Sequence, residues 1–407
     1  MVKDFRNMLG AGSFQRVAGG YRLPTIGYQL LVFLVFTFHL SPFTLNAQSL
    51  PLSETATASV LTCGPGNDFY TTFGHSAIRI CDTAEGLDMV YNYGMFDFNT
   101  PNFYWKFMRG QLDYHIGRTT FDGFLMEYEM EGRAVWEQQL DFTPQEVSNL
   151  YLALEWNYEP ENRHYRYDFF RKNCATMVWD RVAEACGKKK VESGEWRVRS
   201  YRDYLHMAMR EKLEWWALGV DLLLGLSADH PCTAEEAMFY PEVMMTLLEK
   251  STRDGKPLVV AKNVILKETR EPLSRSFPPL VVFSLLFALI ALLTVSEKRF
   301  HLSPIIFHLI DRVLFILAGL IGLFLIFMWF GTNHYCTEWN LNILWASPLL
   351  LLIAIRLGCS PRWALWLQEV CFSVAVVWVI WCGLSVALIP LILTLALRVG
   401  SLMMSDE

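Results

Sequence analysis

The chain has 407 residues, of which 53% are hydrophobic, 14% aromatic and only 19% charged; mean hydropathy is +0.24 and the formal net charge −6. Such a length buries a core readily and has room for two folded units. Soluble domains average about 25% charged residues, so the apolar excess points to lipid, while the acidic balance excludes a nucleic-acid binder that works by neutralising phosphates.

In chain order, Lys3, Arg6, Arg16 and Arg22 precede an uncharged apolar run from Tyr28 to Leu40, followed by Ser41-Pro42 and Leu45-Asn46-Ala47. A helix over that run reaches only about 20 Å, short of a bilayer core of roughly 30 Å. Residues 1–47 therefore read as a secretory signal peptide or, if the helix starts at Leu23, an N-terminal anchor. Either reading sends residue 48 onward out of the cytoplasm.

Residues 48–277 have the composition of an exported soluble domain. Strands are predicted over Thr57–Cys63, His75–Cys81, Met89–Tyr93 and Arg133–Phe142, with a turn at Gly64-Pro65-Gly66-Asn67-Asp68. Thr143-Pro144-Gln145-Glu146 is a capping box with proline at the first helical position. Tyr165–Phe170 reads as a strand or extended segment, and Asn173 opens a helix over Cys174–Cys186 with Cys174, Val178 and Val182 on one stripe. This is an α+β pattern. From Pro278 the sequence turns apolar, with runs at Pro279–Val295, Val313–Phe330, Leu341–Ile355 and Val370–Leu397, the last broken or tilted at Pro390. The connections at Lys298-Arg299 and Arg356/Arg362 are basic, whereas Gly331–Asn340 lacks Lys and Arg; the positive-inside rule puts that loop outside. Residues 278–407 are expected to form a transmembrane bundle of about four helices.

Cys63, Cys81, Cys174, Cys186 and Cys232 fall in the exported region, where Cys63 and Cys81, on neighbouring strands, are candidates for a disulfide. No CxxC, HExxH or His/Cys ligand spacing occurs, so no metal and no cofactor is expected. Cys174 opens a helix, where free N–H groups and the dipole lower a thiol's pKa. His75 opens a strand after Gly74, about 100 residues earlier. An imidazole beside a thiol makes a nucleophile backed by a general acid. The alternative is a structural His and a buried helix Cys.

Leu61-Thr62-Cys63-Gly64-Pro65-Gly66, Phe73-Gly74-His75-Ser76-Ala77-Ile78-Arg79, Tyr91-Asn92-Tyr93-Gly94-Met95-Phe96-Asp97-Phe98 and Lys172-Asn173-Cys174-Ala175-Thr176 resemble the Lnb-type lipoprotein N-acyltransferases of bacteria. That family joins an exported thiol domain to a C-terminal helical membrane region. The domain also resembles permuted papain/NlpC-like and lecithin retinol acyltransferase-like thiol folds, in which His precedes the Asn-Cys element. The resemblance implies His75 as base and Cys174 as nucleophile. It leaves the third member open: Asn92, on the next strand, is the first choice, with an amide oxygen to accept from the imidazole N–H, and His115 the second. The Cys174 N–H and the Asn173 side chain are the candidate oxyanion donors.

Two features bear on substrate. Arg79 shares a strand face with His75, where it could meet a lipid phosphate or simply lie solvated. Leu213–Leu226 carries Trp215 and Trp216 and is too short to span; it reads as a surface-lying or bundle-packed helix lowering the thiol site to the bilayer, or as a buried core helix. The implied reaction moves an acyl chain from a membrane phospholipid, through a Cys174 thioester, to the α-amino group of a diacylated apolipoprotein's N-terminal cysteine. The implied setting is the periplasmic face of the bacterial inner membrane, in a multi-pass protein with no nucleic-acid partner. The rivals are a membrane-tethered phospholipase or peptidoglycan peptidase/amidase, and a non-enzymatic anchored binding protein.

Overall fold

The computed structural model describes residues 52–187, 198–209, 213–271, 276–300 and 303–405, so the expected signal or anchor (1–47) lies outside the described residues. An antiparallel seven-stranded sheet organises the first half. Its strands are β1 (Thr57–Cys63), β2 (His75–Asp82), β3 (Leu87–Met95), β4 (Asp113–Thr120), β5 (Val135–Leu140), β6 (His164–Arg166) and β9 (Val259–Leu266), in the order β6-β4-β3-β2-β1-β5-β9. A separate ribbon pairs β7 (Thr252–Arg253) with β8 (Lys256–Pro257).

Side-chain alternation gives the sheet two apolar faces. Val60, Ile78, Ile80, Tyr91 and Tyr93 face α3 (Pro144–Tyr158) and α4 (Cys174–Ala185), which bury Leu150, Leu154, Val178 and Val182 against them. Leu61, Cys63, Ala77, Val90 and Val135 face α2 (Phe121–Met130), through Phe124 and Tyr128. Thr143 and Glu146 cap α3 reciprocally, a contribution of about 1 kcal/mol. The short α1 (Phe103–Met108) precedes β4. After α4 come α5 (Tyr201–Met209), α6 (Glu214–Leu223), the single turn α7 (Ala234–Ala237) and α8 (Pro241–Lys250).

The second half is helical: α9 (Pro279–Phe300), α10 (Pro304–Gly331), α11 (Leu349–Ile355), α12 (Arg362–Trp381) and α13 (Leu388–Ser405). Among the described residues, α9, α10 and α12 are long and apolar enough to cross a membrane. Two expectations change here. The run Leu341–Ile355 is mostly a 3-10 turn and loop, with a helix only over its last seven residues. The run Val370–Leu397 divides between α12 and α13, with the break near Gly383, and Pro390 sits in the first turn of α13, where its missing N–H costs nothing. Within the bundle Arg398 forms a forked pair with Asp311 at 2.6 and 2.9 Å and also reaches Glu297 at 2.9 Å, tying α13 to α10 and α9.

The two halves meet at a buried polar knot. Asp221 on α6 accepts from Arg202 (3.0 Å), His206 (2.8 Å) and the Ser385 N–H (2.8 Å), while Arg202 also holds Asp229 at 2.6 Å. Asn342 donates to the Asp221 carbonyl at 2.8 Å and Asn340 to that of Leu222 at 2.7 Å. On the same helix Leu218 enters the core of the bundle. So α6 is a packed bridge between the sheet domain and the apolar helices.

Candidate active site

The sheet opens where β3 leaves β2. Their ladder runs from Ile78–Tyr91 to Asp82–Leu87, so His75, Ser76 and Ala77 have no partner on β3. On the other edge of β3, its pairing with β4 shifts register between Asn92 and Met95. Gly94 lies there at φ +87°, and a Cβ on it would come 3.4 Å from the Cys174 Cβ. Glycine is needed for the left-handed backbone, and α4 packs close against it.

Cys174 fills that opening from the N-terminus of α4. The N–H groups of Ser76, Ala175 and Cys174 itself lie against its sulfur. Asn173 caps the helix, accepting from the Ala175 and Thr176 N–H groups, both at 3.0 Å. Its amide nitrogen donates to Phe169 O at 2.9 Å and Phe239 O at 2.7 Å. With both amide hydrogens committed, the Asn173 side chain is a positioning cap. The expectation that it donates to an oxyanion is corrected: the donors at the sulfur are backbone N–H groups.

On the β2–β3 surface, His75 Nε2 lies 3.2 Å from Asn92 Oδ1. The structure thus pairs His75 with Asn92 and sets the N–H of the next residue, Ser76, against the Cys174 sulfur. His115 lies elsewhere, opposite Met95 on β4, with its ring 5.7 Å from that of His164.

Electrostatics set the resting protonation. Burial pulls the His75 imidazole down to about 4; the Arg133 cation pushes the same way, and the Asn92 hydrogen bond opposes. Burial also raises the Cys174 thiol above its ordinary value, outweighing the N–H groups and Arg133 that favour thiolate. The sequence-based expectation of a thiol made acidic by its helix end is therefore reversed by desolvation. At neutral pH the pair rests as thiol and neutral imidazole.

Arg133 is a residue that the sequence reading passed over. It is buried, donates through Nε to Gly64 O at 2.9 Å, pairs with Glu131 at 2.8 Å and lies over the Tyr128 ring. Its charge acts on Cys174, His75 and Cys63 together. Tyr165 was read only as part of an extended segment. Its hydroxyl is buried within electrostatic reach of Cys174, and the Gly94 N–H points toward it without reaching hydrogen-bond geometry. A basic residue opening a predicted strand and an aromatic before the Asn-Cys element were the only signals in the sequence.

Two other expectations are corrected. Cys63 opposes His75 while Cys81 opposes Thr57, placing the two cysteines at opposite ends of the hairpin, roughly 20 Å apart by strand rise. Both are free, and burial pushes the Cys63 thiol up to about 12. Arg79 is no free cation for a phosphate: it grips Asp88 with two bonds of 2.7 Å, holds Glu137 at 2.8 Å and covers the Phe121 ring. Trp215 and Trp216 stand on α6 away from the sulfur's own contacts. Trp215 donates to Phe277 O at 2.8 Å and meets Phe283 of α9 edge-on. Among the described residues no cluster of His, Cys, Asp and Glu could hold a metal.

Residues 48–206, which carry His75, Asn92 and Cys174, match the family model of the Lnb N-terminal periplasmic domain. Residues 271–406 match that of the Lnb transmembrane domain. No curated protein and no solved structure matches the chain. Two family models in the order sheet domain, then apolar helices, account for both halves of the fold: the chain is an Lnb-type family protein, membrane-bound and bearing a periplasmic domain.

Proposed function

We propose that the protein is a lipoprotein N-acyltransferase of the bacterial inner membrane, multi-pass, with its thiol site on the periplasmic side. The observation that carries this reading is the Cys174 sulfur set among backbone N–H groups, one of them from Ser76, the residue after a His75 held by Asn92, in a domain joined to a membrane bundle.

A neutral imidazole is the form that accepts a proton, and a neutral thiol is the form that gives one. His75 takes the Cys174 proton as the sulfur attacks the carbonyl carbon of a phospholipid acyl ester. The carbonyl oxygen becomes an oxyanion among the Ser76 and Cys174 N–H groups, with the Tyr165 hydroxyl as a further donor. Collapse breaks the C–O bond, the imidazolium protonates the departing alkoxide, and lysophospholipid leaves a thioester on Cys174. The α-amine of a diacylated apolipoprotein then attacks the thioester. His75 takes the amine's proton and returns it to the departing sulfur, giving amide and free thiol. Arg133 favours neutral imidazole and anionic sulfur, the states wanted during attack.

The test is intact-mass analysis of the purified protein with phospholipid alone, wild type beside Cys174→Ser. The expected result is a mass gain of one acyl group on the wild type, removed by neutral hydroxylamine and transferred as amide to a diacylated cysteine peptide. Fatty-acid release without amide would replace the transferase by a phospholipase. No adduct and no lysophospholipid would leave a peptidase or an anchored binding protein.

A further inference from the structure

We propose that the aromatic segment from Met95 to Met108 is the lipid-access face of the thiol site, seated in the outer leaflet so that a phospholipid acyl chain reaches Cys174 without crossing water. This rests on the acyl-transfer reading for its purpose; the seating itself stands on geometry.

Depth comes first. The Trp105 ring stacks on Phe327 of α10 at 5.8 Å between centroids. Phe327 lies four residues before the end of that helix at Gly331, about 6 Å down its axis. Arg109 and Asn333 fix the height: Arg109 Nε donates to Gly331 O at 3.3 Å, and the Asn333 N–H donates to Arg109 O at 2.9 Å. His334 Nε2 lies 3.0 Å from Met108 O. A ring held beside the last turns of a membrane-spanning helix sits at the headgroup boundary, where Trp and Tyr concentrate.

Exposure comes second. Tyr104 is 79% exposed, Phe98 59%, Trp105 50% and Phe107 47%. Four large aromatics turned outward on one short segment form a contiguous patch of the kind that marks an interaction surface. Through the Trp105–Phe327 contact they adjoin α10, whose Phe324 and Phe330 also face outward, so the surface they extend is the lipid-facing side of the bundle. Trp215, set against the first turns of α9, marks the same boundary on another helix.

Continuity with the sulfur comes third. Gly94, against Cys174, is followed by Met95 and by Phe96, whose ring packs on Phe98, Phe103 and Tyr114 at 5.0, 5.8 and 5.3 Å. Tyr114 stacks on Tyr167 at 4.0 Å, and Tyr167 lies close enough to Cys174 to feel its charge. An aromatic cluster therefore links the bilayer boundary to the neighbourhood of the thiol, with Phe103 and Tyr114 buried at its centre and Met95, Phe96 and Phe98 along its outer edge. A diacyl lipid partly withdrawn from the leaflet finds apolar contact along that outer edge, which offsets the cost of exposing its chain.

The experiment places the photoreactive residue p-benzoylphenylalanine at Tyr104 or at Val260 in the full chain, in nanodiscs of palmitoyl-oleoyl phosphatidylethanolamine and phosphatidylglycerol. Val260 is 57% exposed, next to the β9–β5 pairing at the far end of the sheet. Lipid adducts are expected at 104 at tenfold or more the yield at 260, in wild type and Cys174→Ser alike. Equal yields, or none at 104, overturn the proposal. The second readout is Phe98→Ser/Tyr104→Ser, expected to raise KM for vesicle phospholipid about tenfold with kcat within twofold and the melting temperature retained. A fall confined to kcat overturns the access role. Adducts at 104 in a chain that releases no lysophospholipid would sink acyl transfer and keep the seating.

Discussion

Two polar centres lie within this molecule, and they differ in how completely their groups are satisfied. At the junction between the halves, Asp221 takes three donors and Arg202 reaches two carboxylates and the carbonyls of Leu224 and Gly225. At the open end of the sheet, the hydroxyls of Thr62, Ser76, Tyr93 and Tyr165 are buried without partners of good geometry. Natural interiors rarely tolerate such groups, each of which costs about 1–3 kcal/mol of desolvation. The saturated knot is scaffold: nothing is left over for a ligand. On the acyl-transfer proposal, the unsaturated end, with its neutral thiol and neutral imidazole, keeps polar groups for the substrate.

That contrast breaks most sharply at Cys174. Cys174→Ala should abolish thioester formation and acyl transfer, a loss of about a thousandfold or more, while the melting temperature stays within a degree or two. Asp221→Ala should do the reverse. Removing it strands the Arg202 cation in a buried place, a cost of about 3–5 kcal/mol, read as a lower thermal midpoint in detergent. Turnover per folded molecule should stay within twofold. If Asp221→Ala abolished turnover in folded protein, the division between scaffold and chemistry would fail.

Much of this division was legible in the sequence, for physical reasons. Strand β1 is a β-rich run and β2 alternates, Thr143–Glu146 announces its helix, and Asn173-Cys174 names a cap and the residue behind it. Asn92 was chosen over His115 because an amide one strand away can reach the imidazole, and the hydrogen bond is there. The rest depended on packing. The helix end at Cys174 promised an acidic thiol, yet burial outweighs the dipole, and burial is not written in local sequence. Arg133 looked like a strand's first residue; only the fold turns it beneath Tyr128 and toward the site. The strand Asp113–Thr120 and the helix Phe121–Met130 were missed because Gly117 and Gly123 interrupt their patterns.

Asn92 offers a finer cut. Asn92→Ala should lower kcat by about tenfold to a hundredfold through a freed imidazole, with little change in stability. Its bond raises the His75 pKa, so its loss should move the acid limb of the pH profile downward, and Asn92→Asp should move that limb up by adding a negative charge. In the wild type the limb should fall near pH 4 to 5 rather than at 6.5, because burial disfavours imidazolium. Stability follows the same sign. The unfolded chain binds this proton near pH 6.5 and the folded chain only near 4, so the contribution is complete above 6.5 and lost between those values. The loss is at most about 3 kcal/mol. Denaturant midpoints between pH 7 and 4, wild type against His75→Gln, isolate it.

The smallest effect is the most discriminating. Tyr165 rests edge-on against Tyr93 at 6.2 Å, a contact phenylalanine keeps, so Tyr165→Phe removes little beyond the hydroxyl. If that hydroxyl is reserved for the oxyanion, kcat should fall about threefold to tenfold, the scale of one lost neutral hydrogen bond at about 1 kcal/mol. KM should hold. Stability should hold or rise, because a buried hydroxyl without a partner is a cost to the folded state. A structural hydroxyl predicts the opposite pair: a lower melting temperature and unchanged kcat. Single-turnover acylation of Cys174, measured beside thermal unfolding on the same preparation, separates the two.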